Sequence, residues 1–289
     1  MKRKIVGIVV LMLVATTVVS ATNNINVKEK IRPTTSSVDV PVWKKGDSWT
    51  YNFHEIIYKY TTNGTLWFTL YHNCTMINTI TDDTGDTYTM KMTSTNNEGK
   101  TIISSYRLKF TPFTKLSGEW VYRKTDLACT LESDQEKGFA FWLIGNILPI
   151  PTQYTHTREW IMTPGWAFLP FPLTAGTAGT IPGYHLTYQE KCSLYWGLVK
   201  LFDGPATNYT QSPVPYHCEM ANITVPASTY SAYNVSVELS FGFGHYSSWQ
   251  YYVPEVGNTA KTYINGDWDT SGKPGTIYEL ELVSTTYTP

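Results

Sequence analysis

The sequence predicts a mainly β protein built on a large antiparallel sheet, with one or two short helices. Three observations carry that expectation. The chain holds 21 tyrosines and 10 tryptophans among 289 residues, and flat or branched side chains suit a pleated, half-buried surface. Turn-forming clusters at Asn63-Gly64, Asp82–Asp86 and Asn96–Gly99 recur at the spacing of short strands joined by tight turns. The last third contains the ordered segments Ile223–Glu238, Trp249–Tyr263 and Ile277–Val283, apolar or alternating and punctuated by Pro or Gly. Charged residues make up only 16% and the formal net charge is −1. Polyanion binding needs a concentrated basic face, so nucleic acid is excluded as a partner.

The N-terminus bears on the compartment. Lys2, Arg3 and Lys4 precede the apolar run Ile5–Val14, and the small residues Val19, Ser20 and Ala21 suit a signal-peptidase site. Residues 1–21 are therefore expected to be a cleaved signal peptide, which makes the protein extracellular or loosely associated with the cell surface. An uncleaved anchor is the alternative, although the run falls short of the ~20 apolar residues of a spanning helix. Residues 22–39 are polar, with a charge cluster at Lys28–Arg32, and read as a flexible leader. The folded part is expected to begin near Val40. Cys74, Cys129, Cys192 and Cys218 permit two disulfides in an exported chain. Pairing of neighbours would join Cys74 to Cys129 and Cys192 to Cys218. Sequons stand at Asn63, Asn73, Asn208, Asn222 and Asn234, of which Asn63 and Asn208 lie in turn-like sequence and are the preferred glycosylation sites.

An N-terminal β half is expected over 40–148. A turn at Lys44–Asp47 opens it, and Asn63-Gly64 is a strong two-residue hairpin signal. A second hairpin turns at Asp82–Asp86 between Cys74–Ile80 and Tyr88–Thr93. A third turns at Asn96–Gly99 and leads into Ile102–Phe110. Glu119–Ala128 reads as a strand running into a short turn or helix. Glu132–Leu148 starts polar and becomes apolar from Phe139; Ser133, Asp134 and Glu136 resemble a helix N-terminus. A helix packed into the concave face of the sheet is expected there. A buried strand is the alternative, because Gly138 and Gly145 weaken a helix. Residues 149–182 hold several prolines and glycines and read as a long loop, a lid or a crossing between halves. The C-terminal β half, 183–289, continues one domain with strands from Tyr184 to Val283.

An ordered series of motifs carries a resemblance. Phe171-Pro172-Leu173 comes before Gly176. Val225-Pro226-Ala227-Ser228-Thr229-Tyr230-Ser231-Ala232-Tyr233 follows, then Trp249 and Tyr251-Tyr252-Val253-Pro254-Glu255-Val256-Gly257, and Tyr278-Glu279-Leu280 closes it. The series resembles that of a poorly characterised family of secreted proteins with a curved antiparallel sheet. Those proteins are similar to the LolA-like lipoprotein-carrier half-barrels, which bind acyl chains in a concave apolar cavity. The match covers 171–283. It departs at Ser228, where glycine is usual, and after Gly176, where Thr177-Ala178-Gly179 replaces an expected tryptophan. The resemblance implies a curved half-barrel of two related halves. Pro226, Trp249, Tyr252, Pro254, Glu255 and Gly257 read within it as residues that set corners and fill the core.

Chemistry-bearing motifs are scarce. The chain has no His-Glu-x-x-His, no Gly-x-Ser-x-Gly elbow and no phosphate-cradling glycine loop. His54, His72, His156, His185, His217 and His245 lack ligand spacing, and a strand histidine is more often a hydrogen-bonded structural residue. Glu255 is the one acid in the most distinctive motif, and Pro254 beside it favours a turn role. Asp82, Asp83 and Asp86, and again Asp267 and Asp269, could hold Ca²⁺, yet hairpin turns favour these residues for backbone reasons alone. No catalytic residue, metal or cofactor is expected. Phe139, Phe141, Trp142, Trp166, Phe168 and Phe171 are candidates to line or cover an apolar pocket. The last three, in Pro/Gly-rich sequence, are the stronger ones. The function expected is a secreted, non-enzymatic binding module for an apolar or amphipathic, lipid-like ligand. The alternative is an extracellular surface or envelope structural protein that meets other proteins; an extracellular hydrolase stands third.

Overall fold

The computed structural model describes residues 37–60, 64–103, 106–110, 113–144, 148–194, 199–241, 244–267 and 273–289. The expected signal peptide, most of the expected leader, Asn63 and Asp269 lie outside the described residues. A small sheet pairs β1 (Ser37–Val38) with β9 (Leu173–Thr174). Everything else belongs to one large antiparallel sheet that does not close into a barrel.

Two meanders make up most of that sheet. The first runs through β2 (Ser48–Tyr60), β3 (Leu66–Asp82), β4 (Thr87–Ile103), β6 (Phe113–Arg123), β7 (Cys129–Ile144) and β8 (Leu148–Trp166), with β5 (Tyr106–Phe110) beside the end of β4. The second runs through β14 (Val214–Val225), β15 (Ser228–Phe241), β16 (Gly244–Val253), β17 (Asn258–Asp267) and β18 (Pro274–Thr285). The last strand lies beside the first of the other meander: β18 pairs with β2 from Thr276↔Ile57 to Thr285↔Trp49. Between the meanders the chain makes a ribbon. Strands β10 (Thr177–Ile181) and β11 (Tyr184–Leu194) run in line, and β12 (Val199–Asp203), β13 (Thr207–Gln211) and β14 return along them. One end of the ribbon joins β15 through β14, and the other joins β8 through β11.

Side-chain alternation explains the strands. Trp49, Tyr51, Phe53, Glu55 and Ile57 point inward from β2 and are buried, while Asn52 between them is exposed. Cys74, Met76, Asn78 and Ile80 repeat the pattern on β3, and Tyr88, Met90 and Met92 on β4. A period of two places one set of side chains on one face. Two apolar clusters fill the inner side. One is built around Trp43, Trp49, Met76 and Leu282, the other around Trp160, Trp166, Tyr184 and Val235.

Several expectations need correction. Among the described residues there is no helix. Glu132–Ile144 lies in β7, because its Glu132, Asp134 and Glu136 alternate onto the inner face opposite Trp160, Arg158 and His156 of β8. The stretch read as a long loop is mostly strand: β8 runs to Trp166, and only 167–172 remain irregular before β9. Asn96–Gly99 is no hairpin turn. Strand β4 continues through it with a bulge opposite Cys74, where Asn96 takes φ +51°. Strand pairing is already present ahead of Val40, because Val38 pairs with Leu173. Asn208 lies within strand β13 rather than in a turn, and the Asn234 sequon is buried, its amide donating to Glu219 at 3.2 Å.

The four cysteines are free. Cys74 on β3 and Cys129 on β7 are three strand spacings apart in the order β3-β4-β6-β7, on the order of 14 Å, whereas a disulfide needs Cα atoms within ~7 Å. Cys192 faces Phe202 and Cys218 faces Thr177, at distant points of one ribbon. Burial holds all four thiols above their ordinary range.

Candidate ligand-binding cavity

The Pro-x-x-Gly corner between β16 and β17 anchors the interior. Val256 and Gly257 both donate their N–H to Val253 O, and Gly257 takes φ +65°. A Cβ there would meet the Tyr287 ring at 2.4 Å, so position 257 requires glycine twice over. The corner's carbonyls then accept from three aromatic side chains of the opposite end of the chain. Trp43 Nε1 donates to Gly257 O at 2.7 Å, Trp49 Nε1 to Val256 O at 2.8 Å and Tyr51 Oη to Thr259 O at 3.0 Å. These bonds tie the inner face of β2 to the corner and to the start of β17. At the next turn, between β14 and β15, Ala227 N donates to Leu282 O at 3.0 Å and ties that hairpin to β18.

The sheet leaves a cavity of about 140 Å³. Met76, Asn78 and Met90 line it from β3 and β4, Trp120 and Tyr122 from β6, and Glu132 from β7. Gln250, Tyr252 and Thr262 line it from β16 and β17, Tyr278 and Leu280 from β18, and Phe168 and Leu169 from the irregular segment. Glu132 is the one charged side chain among these. Burial, and then the charge of Asp134, pushes its carboxyl up to about 7, against a hydrogen bond from Trp120 and the charge of Arg158. Asn78 is 6% exposed, and its Oδ1 has no hydrogen-bond partner. Two further grooves, about 420 and 370 Å³, are open and polar and carry charges of both signs or of the acidic sign.

Beside the cavity lies a charged ladder, buried at Asp134 and Arg158 and half-buried at Glu132, Glu136, His156 and Glu190. Glu132, Asp134 and Glu136 on β7 stand directly opposite Trp160, Arg158 and His156 on β8, which oppose Tyr188, Glu190 and Cys192 on β11. Arg158 Nε donates to Asp134 Oδ1 at 2.8 Å with both side chains under 5% exposed. Burial works against the Arg158 charge, but Asp134 and Glu136 outweigh it and hold the guanidinium ionised. His156 Nε2 lies 2.6 Å from Glu190 Oε1, and Tyr154 donates to Glu136. Burial lowers the His156 pKa, yet hydrogen bonds with Glu136 and Glu190 outweigh it and hold the ring above its usual range. His72, buried beside Glu55, goes the other way: burial pulls it down to about 4.

No protein-family model matches the chain, and no curated protein or solved structure was found similar to it.

The predicted pocket residues divide. Phe168 lines the cavity. Trp166 lies behind it in the core, 4.2 Å from the Phe168 ring and stacked at 5.5 Å on Tyr184. Phe171 packs edge-on at 5.1 Å against Tyr252, which lines the cavity. Phe139, Phe141 and Trp142 lie on β7 opposite Gln153, Pro151 and Ile150, and their side chains are outside the described residues. Of the motif residues, Trp249 contacts Tyr263 at 5.0 Å, Pro226 and Glu255 are exposed at corners, and Pro254 is half-buried. Asp82 accepts from Thr84 Oγ1 and from Asp83 N, the turn role anticipated for it. Among the described residues no group of three His, Cys, Asp or Glu could hold a metal.

Sequence reading missed Glu132, Asn78, Trp120, Tyr122 and Tyr278. A signal was present: acids at 132, 134 and 136 and His156-x-Arg158-x-Trp160 share the period of two that places each set on one face of a strand. The helix reading of 132–148 hid it.

Proposed function

We propose that this chain is an exported, non-enzymatic binding module whose curved sheet, like those of the LolA-like half-barrels it resembles, holds an apolar or amphipathic ligand on its concave side. The observation that supports this reading is the aromatic-lined cavity with a single carboxyl and a few amide and hydroxyl groups. Ligand sites are concave and mostly apolar, with a small number of placed polar groups. The volume of about 140 Å³ narrows the guest. An apolar cavity of ~150 Å³ accommodates benzene, so a ring or a short chain segment fits, and a longer lipid would extend past Phe168 and Leu169.

Mass spectrometry of organic extracts from the purified mature protein, beside an identically prepared control, tests the reading. A stoichiometric small ligand is expected with the native chain. It should be lost in a Thr262→Phe variant, whose larger side chain fills the cavity from β17. Absence of any bound molecule, together with no uptake of added apolar compounds, would leave the surface-structural alternative in front.

A further inference from the structure

We propose that the cavity selects a small amphipathic cation, a protonated amine on an apolar ring or short chain, with the ammonium paired to Glu132. The inference rests on the cavity being a ligand site and names the class of ligand.

The polarity of the lining is one-sided. Glu132 is its one charged group, and no Lys, Arg or His lines it among the described residues. Asn78 Oδ1 is an acceptor without a donor in a residue 6% exposed. A buried acceptor left unsatisfied is destabilising, and the Asn78 oxygen adds to the negative side of the lining. The remaining walls include the rings of Trp43, Tyr51, Trp120, Tyr122, Tyr252 and Tyr278. Aromatic faces carry negative quadrupole density and attract cations, most strongly where water is excluded. An anionic ligand would meet the Glu132 carboxylate and the unpaired Asn78 oxygen with no compensating positive charge in the lining.

The groups that act on Glu132 come from five strands. Asp134 and Cys129 share β7 with it, Arg158 reaches from β8, Tyr122 from β6, Tyr184 from β11 and Tyr278 from β18. Burial keeps the three tyrosines and the cysteine neutral at physiological pH. Arg158 is bonded to Asp134 at 2.8 Å. Glu132 itself changes charge near pH 7. An ammonium pairs with the carboxylate and not with the acid, so binding of an amine is coupled to loss of the Glu132 proton.

Calorimetric titration of the full mature chain with benzylamine and with toluene tests this. The two share a ring, and an alkylammonium stays charged through pH 8. Benzylamine is expected to bind more tightly than toluene at pH 8 and to weaken on the order of 100-fold by pH 5, tenfold per unit below the Glu132 pKa. Toluene affinity should not change with pH. Glu132→Gln should bring benzylamine down to the toluene level at pH 8 and abolish its pH dependence, with near-ultraviolet circular dichroism verifying the fold. Asn78→Leu should weaken benzylamine by less than Glu132→Gln does and keep the pH slope. Equal binding of both compounds at pH 8, or a pH slope that survives in Glu132→Gln, would overturn the amine selectivity and leave an apolar site standing. No binding of either compound would overturn the site as well.

Discussion

Two regions of the interior, both built by strand alternation, solve the problem of burial in opposite ways. Around the corner at Pro254–Gly257, inward positions carry Trp43, Trp49 and Tyr51, whose polar atoms all find backbone carbonyls. Around β7, β8 and β11, inward positions carry Glu132, Asp134, Glu136, Arg158, His156 and Glu190, whose charges must satisfy one another. The first region obtains its stability from area and packing, which do not titrate. The second obtains its cohesion from ionised pairs, whose desolvation cost nearly cancels their attraction. The cavity lies where the two meet: Trp43 and Tyr51 line it from the first and Glu132 from the second. The comparison implies that mutations in the two regions differ in pH dependence more than in size.

The largest expected effect is at Trp49. The side chain is fully buried and its indole N–H is bonded to Val256 O. Trp49→Ala should cost about 4–5 kcal/mol through lost burial, a residual cavity and an orphaned carbonyl. That is a large part of the stability of an ordinary domain. Because nothing in this corner titrates near neutrality, urea unfolding should give the same loss at pH 5 and pH 8. A loss that differs by more than a kcal/mol between them would blur the distinction drawn between the regions.

How much of this was legible follows the same divide. The β class, the pairing of β2 with β3, the hairpin at Asp82–Asp86, and the corner at Gly257 follow from local rules, because each depends on residues within a few positions of one another. The bulge at Asn96 was misread as a turn, since the same asparagines serve both and only the register of β3 decides. The ladder was illegible for a different reason. Alternating acids on β7 look like a solvated face or a helix start until β8 is placed beside them, and the Arg158 and His156 that make them a buried set lie some twenty residues later. The cavity needed more still, as Asn78, Glu132 and Tyr278 come from strands spread across the chain, and Tyr278 joins the lining through the pairing of β18 with β2.

The ladder's own test is a cycle at Asp134 and Arg158. Arg158→Met removes the partner of a carboxylate 2% exposed, and an uncompensated buried charge of this kind should cost about 3–4 kcal/mol. The double variant Asp134→Leu/Arg158→Met removes both charges and should return to within about 1 kcal/mol of the native protein. Denaturant midpoints of the native, single and double variants decide it. If the double variant is as unstable as the single, the pair contributes packing of the Trp49 kind and the two regions are alike.

The smallest effect expected is also the one that favours the mutant. In the folded protein the Glu132 carboxyl titrates at about 7 in place of the ordinary 4.5. The native state therefore holds its proton more tightly than the unfolded chain does. Its contribution to stability is complete below pH 4.5 and is lost as pH rises through 7. A shift of that size corresponds to roughly 3 kcal/mol. Glutamine has nearly the same shape and no proton to lose. Glu132→Gln should thus match the native protein at pH 4 and exceed it by about 2–3 kcal/mol at pH 8, read from paired unfolding curves. An offset that is the same at both pH values would mean that burial does not govern this carboxyl. With the predicted slope, Glu132 is a side chain that weakens the fold at neutral pH where a glutamine would not. A group that weakens the fold while lining a cavity has its use in what the cavity holds. A bound ammonium would restore the stability that the buried carboxylate forgoes.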